Sequence, residues 1–483
     1  MRMPLNPNST QPLYRQIHGY LRQSILSQSL PPNTRLPATR QLAKDLGVSR
    51  ITVENAYADL VADGLASTQV GSGTFVLPPY TINNPKASHE PWPLWQHEFA
   101  CVPLELCEQV SSSCHPRQIS FAEGSADPSL FPIDEFRRTM ASVMRQAPHA
   151  SLDYGEPRGF LGLRTNIAHI LSSQGIMIPP TNVLITVGSQ QAITLVIQVL
   201  LKPGDVILVE SPTYGKALEL FSAFHLKVVS IPIDKDGMKT ELLEGILQAY
   251  HPKLIYTIPN FQNPSGASLS GRRRRELVSL ASRYNVPILE DDFVGDLRYD
   301  GCAQPALKSL DTSGGVIYVG TFSKMLMPGL RIGFVVAEGP IYGALVKRKY
   351  VQDLATPNLV QHALDAYVSI GRYQTHLRRS CRVYRKRRDA MAQAIGRYLP
   401  QVDVDIPQGG LFMWLRLPQE LTATELLPLA WKEGIDFALG ENYCADGSGS
   451  NYLRLNFAAL SVEEIEEGIR RLGVTLAKLQ KLS

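Results

Sequence analysis

The residues best suited to chemistry stand in a series of short polar turns in the second half of the 483-residue sequence. Each turn follows a short apolar run, and in chain order they are GSQQA at 188–192, ESPTYG at 210–215, PNFQNPSG at 259–266, EDDF at 290–293 and GTFSK at 320–324. One such turn means little, because a Gly-Ser turn before a helix is far more often a connector than a phosphate site. Together they supply a phosphate cradle, an aromatic ring, an amide, a carboxylate and a lysine, and Arg331 adds a second cation.

This combination indicates pyridoxal 5′-phosphate (PLP) as a cofactor. Lys324 would form a Schiff base with the PLP aldehyde, and an apolar, cation-rich pocket would favour its reactive neutral amine. Asp291 would keep the pyridine nitrogen protonated, so that the ring can act as an electron sink, and Asn263 would hydrogen-bond the ring hydroxyl oxygen. The predicted cofactor set is completed by Tyr214 on the ring face, by Ser189, Gln190, Thr321 and Arg331 at the phosphate, and by Ser323.

Each residue also has an ordinary alternative role. Lys324 on its own could be a solvated surface lysine, Asp291 a helix cap and Arg331 one half of an ion pair. The PLP prediction depends on all the requirements being met in chain order, each at the end of an apolar run. No metal is expected, because the six cysteines form no CxxC pair and have no zinc-ligand spacing.

The elements that position these residues are predicted from apolar runs rich in β-branched residues. These runs are VLITV, VILVE, KVVSI, LIYTI, VPILE, VIYVG and RIGFVV, and helical stretches separate them. Continuous apolar strands are typical of a sheet that helices cover on both faces. The sequence therefore predicts an α/β fold, with the chemical residues at the carboxyl ends of strands, where open α/β sheets bind their ligands.

The first 77 residues have a different character, since they predict three helices and a two-stranded wing. Residues 1–50 contain seven Arg or Lys and one acid, a local charge of +6 that would attract a phosphate backbone. Gly47, which tolerates positive φ, would form the tight turn of a helix-turn-helix, and Ser49 would cap the third helix. Arg50 and Thr52 would then face outward near the amino end of that helix, where such modules contact base edges.

Composition fits a soluble globular protein of about three domains, with 44% apolar and 19% charged residues. No run of 18 apolar residues occurs, and the first 30 residues contain no apolar run long enough for a signal peptide. A cytoplasmic protein without membrane contact is therefore expected. Two basic runs, GRRRREL at 271–277 and RRSCRVYRKRRD at 378–389, are interpreted as solvated helix faces.

The segment RLPATRQLAKDLGVSRITVENAYADLVADGLASTQVGSGTFV resembles the winged helix of the GntR-type bacterial regulators. Its LP-x-x-R, LGVSR-x-TV and GSGTFV elements carry the resemblance. Glu54 stands where some relatives have a basic contact residue, and its charge would repel phosphate there. The resemblance implies DNA contacts for Arg40, Ser49, Arg50 and Thr52, with Arg35 and the wing at Gly73 close to phosphates.

Residues 118–483 resemble the fold-type I, aspartate aminotransferase-like enzymes, because YGEPRG, GSQQA, NPSG, EDDF and TFSKMLMPGLRIG occur in the family's order. The resemblance adds Tyr154, which in such dimers reaches the phosphate of the partner subunit. It also adds Arg454, the usual bidentate clamp for an amino-acid carboxylate. Phe293 stands where relatives often have a tyrosine whose hydroxyl contacts the ring oxygen, so one hydrogen bond to the cofactor is expected to be missing.

A winged helix joined to an aminotransferase-like domain resembles the MocR subfamily of GntR regulators. The predicted domains are a winged helix over 1–77, a linker over 78–117 and a PLP-binding domain over 118–483. Within the last, a large domain would cover about 150–340, and the flanking parts would form a small domain. A homodimer is expected, because Tyr154 would complete the neighbouring subunit's site.

The resemblance implies a transcriptional regulator that binds double-stranded operator DNA and senses PLP, or an amino compound, through the Schiff base at Lys324. Physiological turnover is not expected, although residual aminotransferase activity would be consistent with the residues present. The main alternative is an active aminotransferase for a small amino acid. The basic recognition helix favours the regulator, since a metabolic enzyme would not need it. A purely structural C-terminal domain is disfavoured, because Lys324, Asp291 and Arg331 are all present.

Overall fold

The computed structural model of the chain describes residues 3–6, 9, 11–69, 71–77 and 118–481. The chain divides into two compact units, with the division between residues 109 and 110. The predicted linker, residues 78–117, lies outside the described residues. Of the helices within the described ranges, none is both long enough and apolar enough to span a membrane.

The N-terminal unit contains the three predicted helices and the predicted wing. Its elements are α1 Leu13–Leu26, α2 Thr39–Leu46, α3 Arg50–Ala62, β1 Ala66–Gln69 and β2 Gly73–Val76. The two strands pair antiparallel, with Gln69 opposite Gly73 next to the turn. Apolar side chains from the three helices and the wing form one buried core, as expected of a module that packs by itself.

Two residues fix the junction between α2 and α3. Gly47 ends α2 in the left-handed conformation, with a φ of +66°, which a residue with a Cβ adopts only with strain. Ser49 then caps α3, because its hydroxyl oxygen accepts a hydrogen bond from the Thr52 N–H at 3.1 Å. Both predictions are confirmed. Helix α3 packs inward through four buried side chains, Val53, Ala56, Tyr57 and Leu60.

The C-terminal unit is built around an eight-stranded sheet and two smaller sheets. Its strands are β3 Ile119–Ser120, β4 Val183–Thr186, β5 Val206–Ser211, β6 Lys227–Asp234, β7 Gly237–Met238, β8 Leu254–Thr257, β9 Ile288–Asp292, β10 Val316–Thr321, β11 Gly333–Val336, β12 Asp403–Val404, β13 Phe412–Arg416, β14 Ile435–Asp436, β15 Ala438–Leu439 and β16 Tyr452–Asn456. Each of the apolar runs identified in the sequence forms a strand, which confirms the α/β prediction.

Helices cover this sheet and continue into the C-terminal part of the unit. They are α4 Ile133–Gln146, α5 Pro148–Leu152, α6 Leu161–Ser173, α7 Gly188–Leu200, α8 Gly215–Ala223, α9 Leu243–Tyr250, α10 Gly271–Arg283, α11 Leu307–Leu310, α12 Pro340–Asp353, α13 Asn358–Ser369, α14 Arg372–Tyr398, α15 Ala423–Lys432 and α16 Val462–Gln480. The strands β4, β8 and β9 are buried along their whole length, because helices pack over the sheet.

The large sheet has the strand order β4-β11-β10-β9-β8-β5-β6-β7. Strands β10, β9, β8, β5 and β6 pair parallel, whereas β11 runs antiparallel to both of its neighbours, β10 and β4. Strand β4 therefore points the same way as β10. As a result, the carboxyl ends of β4, β10, β9, β8 and β5 lie along one edge of the sheet.

A smaller layer joins the beginning of this unit to its end. Strands β12, β13, β16 and β15 form a four-stranded sheet, and β3 pairs parallel with β14. The chain after β3 also contacts β16, because the Asn456 N–H donates to the Phe121 carbonyl at 2.9 Å. This brings the loop after residue 121 next to Arg454 on β16.

The interpretation of the two basic runs as solvated helix faces is wrong for three of their arginines. Arg274 on α10 is fully buried, and its guanidinium donates to three backbone carbonyls and to the Asn260 side chain. Arg273 is also buried and forms a bidentate pair with Asp234. On α14, Arg388 is buried and donates to the Pro407 carbonyl. Their hydrogen-bond partners, which come from distant parts of the chain, offset the cost of burial.

Candidate functional site

The common edge of the large sheet gathers the residues predicted to bind the cofactor. Ser189 and Gln190 lie in the first turn of α7, directly after β4, and Tyr214 precedes α8, after β5. Residues further along the chain complete the group at the same edge: Asn263 after β8, Asp291 near the end of β9, and Thr321, Ser323 and Lys324 at and after the end of β10. The parallel strands therefore bring together groups that are far apart in sequence.

Asp291 is a buried carboxylate with one oxygen left unpaired. Its Oδ2 accepts a hydrogen bond from the Tyr256 hydroxyl at 2.8 Å, whereas its Oδ1 has no partner among the described residues. Burial raises the pKa of Asp291 to about 7, against the opposing effect of the Tyr256 hydrogen bond. A buried carboxylate with a raised pKa and an unpaired oxygen lacks a positively charged hydrogen-bond donor. A protonated pyridine nitrogen would supply that donor.

Lys324 is half-buried directly after β10. Burial lowers the pKa of its amine, and the positive charges of Arg454 and Arg331 lower it further, while Glu123 acts in the opposite direction. Among the described residues, no hydrogen bond or ion pair engages this amine. The lowered pKa and the absence of a hydrogen-bond or ion-pair partner in the described part of the chain both favour the neutral, nucleophilic form of the amine.

A tightly packed glycine pair and an arginine lie at the end of the site that is predicted to bind the phosphate. Gly188 begins α7 with a φ of +81°, and a Cβ there would lie 2.7 Å from the Arg331 guanidinium. A Cβ on Gly333 would lie 2.5 Å from the Gly188 carbonyl carbon. Arg331 donates to the Val187 carbonyl at 3.2 Å, which holds it beside the N-terminus of α7. Free N–H groups and a cation at a helix N-terminus suit a phosphate.

Arg454 is buried on β16 and faces the same site. Its Nη1 donates to the Asn263 Oδ1 at 3.0 Å, and its Nη2 donates to the Ala122 carbonyl at 2.6 Å. The guanidinium lies 4.1 Å from the Phe412 ring centroid and 5.1 Å from that of Tyr443. Its Nε is buried and has no partner among the described residues. Because Arg454 occupies the Asn263 oxygen, the Asn263 amide nitrogen is left as the donor for a ring hydroxyl oxygen.

Three aromatic residues have different positions around this site. Tyr214 is half-buried, and desolvation raises its pKa to about 12, so its hydroxyl stays protonated. Phe293 is buried, with its ring 6.4 Å from that of Phe412, and offers no hydroxyl. Tyr154 is 83% exposed. Its role toward a partner subunit stays a prediction.

Several residues in contact with this site were not predicted from the sequence, including the Phe412 and Tyr443 rings beside Arg454. Tyr256 lies in the apolar run LIYTI, where a tyrosine is an ordinary strand residue, and only the pairing of β8 with β9 brings it to Asp291. Ala122 contributes only its backbone carbonyl, which no side-chain pattern indicates. The polar tyrosine within an otherwise apolar run was the one available signal.

The residues predicted to bind DNA lie on α2, α3 and the wing. Arg40 and Arg50 are exposed, and the Ser49 and Thr52 hydroxyl oxygens are 2.8 Å apart. The backbone of Arg35 forms an isolated antiparallel β-bridge with Phe75 of the wing. A Cβ on Gly73 would lie 2.9 Å from the Arg35 Nε, so the arginine side chain packs against the wing backbone.

Glu54 does not stand as an isolated charge on the recognition helix. Its carboxylate accepts a hydrogen bond from the Arg50 Nε at 2.6 Å, one turn earlier. The pair reduces the repulsion of phosphate that Glu54 alone would cause, and it holds the arginine side chain along the helix.

Comparison with known proteins accounts for both units. Residues 13–76 match the bacterial regulatory proteins of the gntR family, and residues 117–472 match aminotransferase class I and II. The HTH-type transcriptional regulator YdcR of Escherichia coli is 34% identical over 95% of this chain and 98% of its own length. The probable rhizopine catabolism regulatory protein MocR of Rhizobium meliloti is 30% identical over 97% of this chain and 94% of its own. The chain belongs to the MocR subfamily of GntR-type regulators.

The second unit of this MocR-type regulator is also similar to enzymes. Aromatic-amino-acid aminotransferase 1 of Thermococcus litoralis is 38% identical over 75% of this chain and 89% of its own length. The crystal structure of a Pyrococcus horikoshii kynurenine aminotransferase, in complex with PMP, superposes with a TM-score of 0.76 at 36% identity, covering 80% of this chain and 96% of that one. The large sheet and its helices are therefore a fold-type I aminotransferase domain.

PLP is the cofactor of the aminotransferase class I and II family, to which this unit belongs. The described residues fit it. The unpaired Oδ1 of Asp291 suits the ring nitrogen, and the α7 N-terminus with Arg331 suits the phosphate. The Lys324 amine has the lowered pKa that reaction with an aldehyde requires.

Proposed function

We propose that this MocR-type protein is a transcriptional regulator that binds operator DNA through its winged helix and senses PLP, or an amino compound, at Lys324. One observation carries the proposal. An unpaired lysine amine with a lowered pKa and a buried carboxylate with a free oxygen occur in the same chain as a helix that is capped by Ser49 and has Arg50 exposed at its amino end. We further propose that residues 1–77 form the DNA-reading domain and residues 118–483 the sensing domain.

The residues of the sensing domain each have a defined task. When bound, PLP supplies an aldehyde that primary amines attack. Lys324 offers its neutral amine, Asp291 holds a proton on the ring nitrogen through Oδ1, and the Asn263 amide donates to the ring hydroxyl oxygen. Arg331 and the first turn of α7 bind the phosphate, with Ser189 and Thr321 beside them.

Arg454 favours an effector that carries a carboxylate. Its guanidinium lies over the Phe412 ring and donates hydrogen bonds to Asn263 and Ala122, so its remaining N–H groups have a set direction. A planar, immobile guanidinium binds a carboxylate with little loss of side-chain entropy. An amino acid would place its carboxylate there and its amine next to Lys324.

A second candidate function is amino-acid transamination. The identity of 38% with an aminotransferase and the presence of every group that PLP chemistry needs favour it. Phe293 argues for slow turnover, since the ring oxygen would lack a tyrosine hydroxyl. Conversion of a 2-oxo acid to an amino acid by purified protein would distinguish the two; we expect single-turnover exchange with negligible steady-state rate.

We propose a homodimer in which Tyr154 of each subunit reaches the phosphate site of the other. Its side chain is 83% exposed in the single chain, which leaves it available to a neighbour. Double-stranded DNA with two half-sites would match such a dimer.

Cofactor binding can be tested by absorbance. Purified protein with PLP is expected to show the visible band of a protein-bound PLP adduct, and Lys324→Ala should lose it. Lys227→Ala serves as the control, because Lys227 is an exposed lysine at the amino end of β6, away from the site edge. Wild-type protein that stays colourless with added PLP would contradict the proposal.

DNA recognition can be tested by gel shift on the DNA upstream of the protein's own coding region. Arg50→Ala is expected to weaken binding by about tenfold or more, because a base-contacting arginine contributes about 1–3 kcal/mol. Arg22→Ala is the matched control. This variant removes the same charge, but Arg22 lies near Asp63, past the carboxyl end of α3. Because α3 has 13 residues, that end is about 20 Å from Arg50. Equal binding by wild type and Arg50→Ala would show that α3 is not the reading helix.

A further inference from the structure

A buried tyrosine stands behind the cofactor carboxylate. Tyr256 on β8 is completely buried, and its hydroxyl donates to the Asp291 Oδ2 at 2.8 Å across the parallel β8–β9 pair. We propose that Tyr256 is a positioning residue that keeps Asp291 ionised and directs its Oδ1 to the cofactor's ring nitrogen. The inference rests on the proposed PLP binding and goes beyond the contacts assigned to the site so far.

The two oxygens of the Asp291 carboxylate have different roles. Oδ2 is occupied by the phenol, whereas Oδ1 has no partner within the described part of the chain. The phenol keeps its proton and donates it to the ionised carboxylate, because burial and the nearby Asp291 charge raise the pKa of Tyr256 well above its usual range. The carboxylate is therefore held at one oxygen and presents the other to a ligand.

The charge state of Asp291 depends on its hydrogen bond from Tyr256. Burial favours the neutral form of Asp291, the charge of Asp292 acts in the same direction, and the Tyr256 hydrogen bond favours the charged form. The other titratable groups that face Tyr256 are Tyr214, before α8, and Glu210, on β5. Neither supplies a positive charge. Without the phenol, a proton shared by Asp291 and the ring nitrogen would move toward the carboxylate.

The chain contains a second pair with nearly the same chemistry. Tyr318 on β10 is buried, and its hydroxyl donates to the Asp292 Oδ2 at 2.7 Å. The other oxygen of Asp292 is already occupied, since Oδ1 accepts from the Asn260 amide at 3.1 Å. Tyr318→Phe therefore removes an equivalent buried phenol from a carboxylate that has no free oxygen for a cofactor. It is the matched control for Tyr256→Phe.

The experiment compares full-length wild type, Tyr256→Phe and Tyr318→Phe. Each is loaded with PLP that carries ¹⁵N in the ring, and the ¹⁵N chemical shift reports whether the nitrogen is protonated. The PLP Kd is measured by absorbance titration. In Tyr256→Phe we expect a shift toward the unprotonated ring and a Kd weaker by about tenfold, since hydrogen bonds to charged groups are the stronger ones. Tyr318→Phe should behave as wild type in both measurements.

A second measurement does not depend on the Phe variant remaining folded. Protein that carries 3-fluorotyrosine at position 256 alone, or at position 318 alone, is titrated with PLP, and the single ¹⁹F resonance of each is followed. The resonance of residue 256 should move more than that of residue 318. Equal ring protonation in Tyr256→Phe and Tyr318→Phe, or a residue 256 resonance that ignores PLP, would overturn the inference. Absence of PLP binding by wild type would instead refute the proposed function, and the inference with it.

Discussion

At Lys324, burial and two guanidinium groups act in the same direction on one amine. The sequence predicts an apolar, cation-rich pocket around this amine, and Arg331 lies seven residues downstream. Arg454 is 130 residues away, and β16 brings it to the site through contacts with Asn263 and Ala122. Lys324 could therefore be singled out from the sequence as the candidate Schiff-base lysine, whereas the contacts that bring Arg454 close to it depend on tertiary structure.

The pH dependence of Lys324 tests this environment. In Arg454→Gln a nearby positive charge is lost, so the protonated amine becomes more favourable and the pKa of Lys324 should rise toward its usual value. The pH at which PLP reacts at half its maximal rate should then move upward, as measured by stopped-flow absorbance. Arg416→Gln is the control. Arg416 lies on β13 two residues after Trp414, the partner of Arg454, and pairs with Tyr452, so this variant should leave that pH unchanged. An unchanged or lower midpoint in Arg454→Gln would contradict the assignment.

At the scale of elements, the apolar runs predicted the strands of the large sheet that carry or precede the candidate cofactor residues, but not β16, which carries Arg454. They could not predict the strand order, because order depends on which buried faces pack together. The pairing of β8 with β9 creates the Tyr256–Asp291 contact, and the antiparallel β11 brings Gly333 against Gly188. The basic run at 271–277 was misread for the same reason, since the oxygens that bind Arg274 come from loops distant in sequence.

The turn from β4 into α7 gives a prediction at this scale. In Gly188→Ala the new Cβ would displace the Arg331 guanidinium, so the PLP Kd should weaken by about tenfold, as expected for loss of a charge-assisted contact. Gly204→Ala is the control, because Gly204 has a φ of +88° and nothing within 4 Å of its added Cβ. Both variants should lose about 1–2 kcal/mol of stability through backbone strain alone. Equal PLP affinity in the two variants, measured by absorbance titration, would contradict the proposed phosphate site.

At the scale of the whole molecule, two modules with separate cores share one chain. The N-terminal core is formed by α1–α3 and the wing, and the other surrounds the large sheet. The sequence indicated both modules because each has local motifs, such as the cap at Ser49 and the turn before Lys324. How one module affects the other is not encoded in any local pattern, and the regulatory account therefore depends on a measured coupling between PLP and DNA.

The measurement that tests this account most directly is the affinity for the DNA upstream of the protein's own coding region. Fluorescence anisotropy would compare full-length protein without PLP, with PLP, and with PLP plus a small amino acid, with Lys324→Ala in parallel. We predict that the wild-type Kd differs by about 5- to 150-fold between at least two of these states, the usual range of allosteric coupling. Lys324→Ala should give one Kd throughout. A wild-type Kd that is the same in all three states would contradict the proposal that Lys324 is the sensing residue of a switch.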